Sequence, residues 1–512
     1  MKEEQALKQF VTGGAAVFIA ITIGYALTFF YKLIIARSFG SADYGLYEML
    51  LTILSISIVI AGTGLYSALQ RFIPYYVTKK KFGYVRGLRQ AVTRIQTIAS
   101  LIVAVLIFLL APLITNFFGF RELFTSMLQV GALAIPLYTF TKSNESLFFA
   151  YKKSLIAKSG NQIIRLIVVL GGVILLYILQ VSIYYIAWVL LISYAATVAY
   201  YMFYLKKIPL PTQQAKYEVN RWFRYAGPLL LAGIVGFLLS WTDNFVIAFF
   251  LTETELGIYA IAFSVAFYLF FVPKLFSPIF LPVLTEYYEK EKKQFKELYY
   301  RIRSWSILFA SFIGLVFVFF SKEILTILFG AEYAPGAAAV SILSIFFIAT
   351  AYVYFAGEIL LLNEKTTALL YADIAAVSIN LIASIWLVQQ IGITGAAIST
   401  GASFLLVRVA LYYLSKKQIR TNWYTKEDIL NVLLIFLGMI TSYALVSTIN
   451  TVFTIPTIVY VLMAAALYAT LTITLLIGLK RYTKQDLLVL EVIQQQTKLP
   501  LTKTITWLNN RL

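Results

Sequence analysis

The sequence predicts an all-α integral membrane protein of about fourteen transmembrane helices. Two six-helix lobes, related by a pseudo-two-fold axis along the membrane normal, are followed by two extra C-terminal helices. Composition, the placement of basic residues and an internal repeat lead to this reading. Of 512 residues, 61% are hydrophobic and 13% charged, and mean hydropathy is +0.83. A soluble domain is nearer half apolar and a quarter charged, so polar residues are too few to coat a soluble fold of this size. Fourteen helices of about 20 to 22 residues would take up about 300 residues, close to the apolar share.

Fourteen apolar segments are legible: 11–36, 44–74, 95–118, 123–150, 161–180, 182–205, 225–250, 256–284, 304–329, 337–362, 368–390, 393–415, 429–450 and 455–479. The first is too long, and its flanks too unsuited to cleavage, for a signal peptide. Very short turns join the fifth to the sixth, the eleventh to the twelfth and the thirteenth to the fourteenth.

The bases alternate with these segments. Residues 1–9, 79–94, 152–165, 206–224, 286–303, 363–367, 416–426 and 480–512 together hold 34 of the 42 Lys and Arg. With fourteen spans all eight stretches fall on one side, whereas the opposite loops are short and carry only Arg37, Arg121 and Lys322 near their edges. The positive-inside rule then puts both termini in the cytoplasm. The excess of 42 bases over 23 acids is therefore a topology signal, and no nucleic-acid partner is expected. Paired tyrosines such as Tyr75–Tyr76, Tyr200–Tyr201 and Tyr412–Tyr413 sit where spans meet the base-rich loops, as an aromatic belt does.

Absences narrow the chemistry. There is no Cys and no His, which removes thiolate nucleophiles, imidazole relays and the commonest metal ligands. No Gly-x4-Gly-Lys-Ser/Thr loop is present, so the chain has no P-loop for ATP. No catalytic residue, metal or cofactor is expected, and the chain is read as a non-enzyme.

Residues 35–47, IARSFGSADYGLY, align with 247–259, IAFFLTETELGIY, at an offset of 212. Ile35, Ala36, Gly45 and Tyr47 match Ile247, Ala248, Gly257 and Tyr259. The register persists: Thr115, Phe118 and Gly119 match Thr326, Phe329 and Gly330 at 211, and Lys153 matches Lys365 at 212. The predicted organisation is thus a lobe over 1–210, a second over 220–417, two further helices over 429–479 and an amphipathic cytoplasmic tail over 480–512. Six spans per half is even, so the halves share orientation, and such repeats place a substrate path between them.

The run Ala36-Arg37-Ser38-Phe39-Gly40-Ser41-Ala42-Asp43-Tyr44-Gly45-Leu46-Tyr47 resembles the opening of polysaccharide-type flippases of the multidrug/oligosaccharidyl-lipid/polysaccharide exporter superfamily. The stretch from Asp243 to Tyr259 is similar to the start of that family's second half, and Gly392-Ile393-Thr394-Gly395-Ala396-Ala397 to its turn into span twelve. The resemblance covers the whole chain. It implies a monomer in the cell membrane. This would move a polyprenyl (di)phosphate-linked oligosaccharide from the cytoplasmic to the outer leaflet by alternating access, for surface polysaccharide or glycoprotein assembly. It also implies that spans thirteen and fourteen help form a groove for the prenyl tail. The partners would be that lipid-linked oligosaccharide and membrane lipids.

Five bases lie within spans, Lys32, Arg71, Lys142, Lys274 and Arg408, and five acids, Glu48, Glu145, Asp243, Glu358 and Asp373. A central Lys or Arg costs about 2.5–3.5 kcal/mol on insertion scales, so most of the bases must face protein, water or an interface. Arg71 and Arg408 are near enough to the base-rich side to snorkel. Lys142 and Glu145, three apart, are expected to pair locally. Lys32 and Asp243 could pair across the two halves, statically or as a gate. Lys274 lies between Pro273 and Pro278, which free helix hydrogen bonds and permit a bend. The substrate-binding cations are read as Lys274 with Lys32, Arg37 and Arg71, because a lipid diphosphate brings about two negative charges that need cations in a low-dielectric space. A desolvated carboxylate can take up a proton or Na+ as coupling ion. Asp243, Glu48 and Glu358 are the candidates for that role, or for a gate.

Other classes compete. A multidrug or organic-cation antiporter of the same superfamily would favour an acidic cavity and twelve spans. A membrane glycosyltransferase or polymerase would favour external carboxylates or large external loops, and no Asp-x-Asp motif is present. A purely structural membrane partner fits poorly with a repeat that carries buried charge.

Overall fold

In lipid a backbone must satisfy its own hydrogen bonds, and apolar runs of this length do so as helices. The computed structural model describes residues 2–208, 211–270, 292–362, 366–419, 426–452 and 456–479. Every regular element among them is helical.

The first helix, α1 (Lys2–Ala61), carries two of the apolar segments on either side of Gly40 (φ 80°, ψ 174°). Residues sixteen apart would lie about 24 Å apart on a straight helix, yet Tyr31 meets Tyr47 and Lys32 meets Glu48. The two arms therefore double back at Gly40. Next come α2 (Leu65–Thr78), α3 (Phe82–Phe118) and α4 (Leu123–Ala150). A fifth span joins α5 (Ser154–Ser159), a π-turn (Gly160–Ile164) and α6 (Arg165–Leu179), and α7 (Ile186–Leu205) closes the first half. The second half opens with α8 (Val219–Phe250) and α9 (Glu253–Phe267). It continues with α10 (Lys292–Phe319), α11 (Ser321–Leu328), α12 (Ala337–Ala351), α13 (Ala356–Leu362), α14 (Thr366–Ile391) and α15 (Ile393–Ile419). Two more helices, α16 (Lys426–Val452) and α17 (Thr457–Gly478), end the described chain.

Twelve of the described helices are long and apolar enough to cross a membrane, thirteen with the pair α10–α11, and the first, Ile19–Ala61, holds both segments flanking Gly40. The protein is a multi-pass membrane protein, and each of the fourteen apolar segments lies at least in part on a described helix, 256–284 being described only as far as Phe270. Three of them are not the continuous helices expected. Segment 44–74 breaks at Gly62–Gly64, where Thr63 and Gly64 take positive φ. A Cβ on Gly64 would lie 2.4 Å from the Ala226 carbonyl oxygen of α8, so the break is also a crossing point. Segment 304–329 bends by 79° between α10 and α11, and 337–362 is interrupted between α12 and α13. The stretch that holds Lys274 with its two prolines, and the tail 480–512, lie outside the described residues.

Packing runs mainly within each half: α4 against α3 and α7, α6 against α1 and α7, then α15 against α12 and α14, and α8 against α14. The pair α16–α17 rests on α10 and α11. The principal contact between halves is α1 on α9. There, a Cβ on Gly45 would lie 2.0 Å from the Glu253 carbonyl oxygen, and one on Gly257 would lie 1.9 Å from that of Ser41. The offset of 212 turns each member of one contact into its counterpart in the other. A two-fold axis predicts this reciprocity, with i touching j and the mate of j touching the mate of i.

Candidate functional site

The same symmetry organises the polar groups of the seam. Lys32 Nζ donates to Ser264 Oγ across the halves at 3.2 Å, and Asn244 Nδ2 donates to Thr52 Oγ1 at 2.9 Å. Lys32 maps onto Asn244 and Thr52 onto Ser264, so these are one contact made twice. Within each half, Tyr47 donates to Tyr31 at 3.3 Å and Tyr259 donates to Asp243, again equivalent pairs. The halves differ in charge. Lys32 and Glu48 form an ion pair at 3.4 Å with side chains 16% and 6% exposed, where the second half has Asn244 and Ala260. Asp243 is 1% exposed, and its Oδ1 finds no hydrogen-bond partner among the described residues.

Where the short loops meet, away from the base-rich segments, a second set of contacts ties the halves. Ser41 donates from N and Oγ to Glu332 at 2.9 and 2.8 Å. Arg121 donates from N and Nε to Glu253 at 2.8 and 2.7 Å and reaches Asp43 at 2.6 Å. Arg121 and Glu332 are 211 apart, so this latch too follows the repeat. Tyr333 donates to the Ala36 carbonyl at 3.3 Å, and Arg37 to that of Ile327. This end is closed.

At the base-rich end, Tyr76 donates to Glu218 at 2.6 Å, Arg221 to Glu218 at 3.0 Å, and Trp222 Nε1 to the Tyr76 hydroxyl at 3.0 Å. Burial works to raise the Glu218 carboxyl pKa, but the hydrogen bonds from Tyr76 and Arg221 outweigh it and leave the group below its ordinary value.

A charged cluster occupies the first half between α4 and the fifth span. Glu145 accepts from Lys142 at 3.3 Å, Lys158 at 2.8 Å and Asn161 at 2.7 Å. Arg165 stands over the Tyr194 ring at 5.7 Å, and that ring lies 4.7 Å from Tyr138. Beside the cluster, Gln96, Thr139, Ser143 and Asn144 line a cavity of about 80 Å³ between α2, α3, α4 and α7.

Of the residues singled out from sequence, the structure joins Lys32 to Glu48. The expected pairing of Lys32 with Asp243 is not formed: the arms of α1 fold back at Gly40 and bring Glu48 to Lys32, while Tyr259 takes Asp243. Lys142 pairs with Glu145 as expected. Arg37 is exposed at the closed end, away from the seam's interior, because the Gly40 reversal puts it at the loop. Arg71 is exposed on α2. Glu358 is half-buried on α13, in the electrostatic field of Tyr354, which also carries Arg408 over its ring at 5.1 Å. Lys274 lies outside the described residues. In the sequence Arg165 belongs to the base-rich stretch 152–165 and is not among the expected site residues. It sits instead at the first residue of α6, within the apolar segment 161–180, and that overlap is its signal in the sequence.

Two symmetric helical halves closed at one end by a polar latch, with a buried ion pair on their seam, describe a two-lobed membrane-transporter fold. Residues 34–338, well over half the chain, match the family described as polysaccharide biosynthesis protein, and the chain belongs to that family. It is 25% identical over 460 residues to the uncharacterized membrane protein MJ1068 of Methanocaldococcus jannaschii, covering 84% of this chain and 88% of that one. It is 30% identical over 198 residues to the probable low-salt glycan biosynthesis flippase Agl15 of Haloferax volcanii, 38% of this chain and 41% of that one. Among solved structures it resembles the lipid II flippase MurJ in an inward closed conformation. The TM-score is 0.69 at 17% identity, over 92% of this chain and 99% of the other. An inward-facing multidrug resistance MATE transporter of the MOP superfamily gives a TM-score of 0.63 at 14% identity, over 79% and 98% of the two chains. The fold is therefore the two-lobed fold of these transporters.

Proposed function

We propose that the protein is a flippase that carries a polyprenyl phosphate- or diphosphate-linked oligosaccharide from the cytoplasmic to the outer leaflet of the cell membrane. It does so as a monomer by alternating access and catalyses no covalent step. The base-rich segments and both termini face the cytoplasm, so the latch of Arg121, Glu253, Ser41 and Glu332 closes the outer mouth. Family membership and the flippase among its relatives support this reading. The observation that carries it is Lys32, held on the seam by Glu48 and, across the halves, by Ser264. A cation there is retained at a desolvation cost, as a substrate-contacting residue would be. An organic-cation antiporter would have little use for it.

Lys32 on the seam is a cation we assign to the diphosphate, and Lys274, outside the described residues, is assigned to it from the sequence. Arg71 lies on the cytoplasmic approach, and Arg37 works at the outer mouth. The coupling ion is a proton or Na+, and Asp243, buried with one oxygen unpartnered, is its site. Glu48 and Glu358 serve as counter-charges.

The test is transport of a polyprenyl diphosphate-linked glycan by the reconstituted full chain. Lys32→Gln and Lys274→Gln should each slow it at least tenfold, and Lys274→Arg should keep part of the rate. Asp243→Asn should abolish any dependence on pH or Na+. Wild-type rates in both lysine variants would refute the cation assignment, and an unchanged ion dependence in Asp243→Asn would refute the coupling site.

A further inference from the structure

The first half carries a second set of cations that the seam does not explain. Lys142 and Lys158 share the single carboxylate Glu145, and Arg165 has no carboxylate within 4 Å among the described residues. The cluster thus holds three cations to one acid, an excess of two charges between α4 and the fifth span. Such an excess is costly in lipid unless water or an anion balances it. The side chains remain reachable: Lys142 is 39% exposed and Lys158 24%.

The π-turn builds this arrangement. At Gly160–Ile164 the Arg165 N–H bonds to the Gly160 carbonyl, five residues back. That frees the Asn161 carbonyl, which accepts from Arg165 Nε at 3.3 Å. The Asn161 side chain meanwhile donates to Glu145. One irregular turn therefore orients the counter-ion and the guanidinium together, and π-turns concentrate at functional sites. Tyr194, Tyr31, Tyr138 and Tyr47 are the electrostatic neighbours of Arg165, and Tyr31 also neighbours Lys32.

The cations also form a series in depth. Counted from the base-rich ends of their helices at 1.5 Å per residue, Lys158 lies about 6 Å in, Lys142 about 12 Å and Arg165 about 16 Å. Lys32, counted from the other end of a hydrocarbon core about 30 Å thick, lies about 18 Å in. The fold does not require the series. At the offset of 212 the second half places Tyr354, Leu370 and Val377 where the first has Lys142, Lys158 and Arg165, and Gly357 where it has Glu145.

Building on the transport reading above, we propose that Lys158, Lys142 and Arg165 form a one-sided cation ladder for the phosphate headgroup of the lipid substrate. The headgroup climbs it from the base-rich mouth to Lys32, and Glu145 is the resident anion it displaces. Two phosphate charges match the local excess of two. Arg165 offers planar paired donors, and the lysines, released from Glu145, offer charge-assisted hydrogen bonds.

The test is equilibrium binding to the full chain in lipid nanodiscs, with three probes: polyprenyl diphosphate, the uncharged polyprenol and inorganic pyrophosphate. Arg165→Gln and Lys142→Gln should each weaken polyprenyl diphosphate binding at least tenfold and leave polyprenol unchanged, with Arg165→Lys recovering part. Glu145→Gln should tighten polyprenyl diphosphate binding severalfold, a gain that misfolding cannot imitate. Lys426→Gln, exposed at the start of α16, should match wild type. If wild type binds and transports while Arg165→Gln, Lys142→Gln and Glu145→Gln all bind as it does, the ladder is wrong. If pyrophosphate binds as tightly as polyprenyl diphosphate, the site takes a free anion and not a lipid headgroup. If wild type neither binds nor moves polyprenyl diphosphate, the transport reading falls and the ladder with it.

Discussion

At the scale of single residues, the seam mixes charge with close packing. Glu48 is 5% exposed and has Lys32 as its ion-pair partner. Removing one partner from a buried pair costs about 3–5 kcal/mol, whereas replacing both can be neutral. Lys32→Gln should therefore lower the unfolding temperature, and Lys32→Gln with Glu48→Gln should restore most of it without restoring transport. Thermal unfolding and flux measured on the same preparations separate the two roles. Gly45→Ala tests the packing. Its Cβ would meet the Glu253 carbonyl oxygen at 2.0 Å, and overpacking of this kind costs about 1–3 kcal/mol. Stability equal to wild type in Gly45→Ala would mean that the halves do not meet as closely as described.

At the scale of elements, a buried ion pair helps to fasten α16 to α10. Arg303 of α10 and Asp428 of α16 are each 1% exposed, and Ser304 adds a bond to Asp428 at 2.5 Å. Asp428→Asn should cost about 3 kcal/mol or more and loosen α16 first, read as faster hydrogen exchange there than in α4. The junction of α2 with α8 should respond to acid. Glu218 has a lowered pKa when folded, so its contribution is complete above the ordinary value of about 4.5 and is lost as pH falls through the depressed folded value. Proteolysis of 206–218 should accelerate in that acidic range, and Glu218→Gln should remove the acceleration. The elements were largely legible in the sequence, because length and apolarity suffice to mark a span. Their interruptions were not. The breaks at Gly62–Gly64 and Phe320 answer to neighbouring helices, and the π-turn at Gly160–Ile164 has no local pattern to betray it. The seam was half legible: the offset of 212 located Gly45, Gly257, Tyr47 and Tyr259. The Lys32–Glu48 pair, however, depends on the reversal at Gly40, which no helical periodicity encodes. Arg165 stayed hidden because a base next to a base-rich loop looks like part of that loop.

For the whole molecule, the prediction concerns the latch. Arg121→Cys with Glu253→Cys places the only two thiols in the chain on contacting residues of opposite halves. Oxidation should lock the end closed and stop flux, and reduction should restore it; flux that persists after complete cross-linking would mean that this end does not open. Orientation is checked separately. A single Cys at Lys81 should resist an impermeant reagent added outside intact cells, and labelling there would reverse the assigned topology.

The glycine crossing has a mechanical consequence. Gly45 stands four residues from Ser41 and sixteen from Ala61, so the second arm of α1 divides there into lengths of about 6 Å and about 24 Å. If the halves rock about Gly45 and Gly257, the crossing is a fulcrum set close to one mouth. A given tilt moves the far end about four times as far as the near one. The base-rich mouth can then gape widely while the latch scarcely shifts, which leaves room for a bulky substrate to enter. The latched mouth has little leverage and must part by pulling the fulcrum itself open, with Glu253 and Glu332 the last hands to let go.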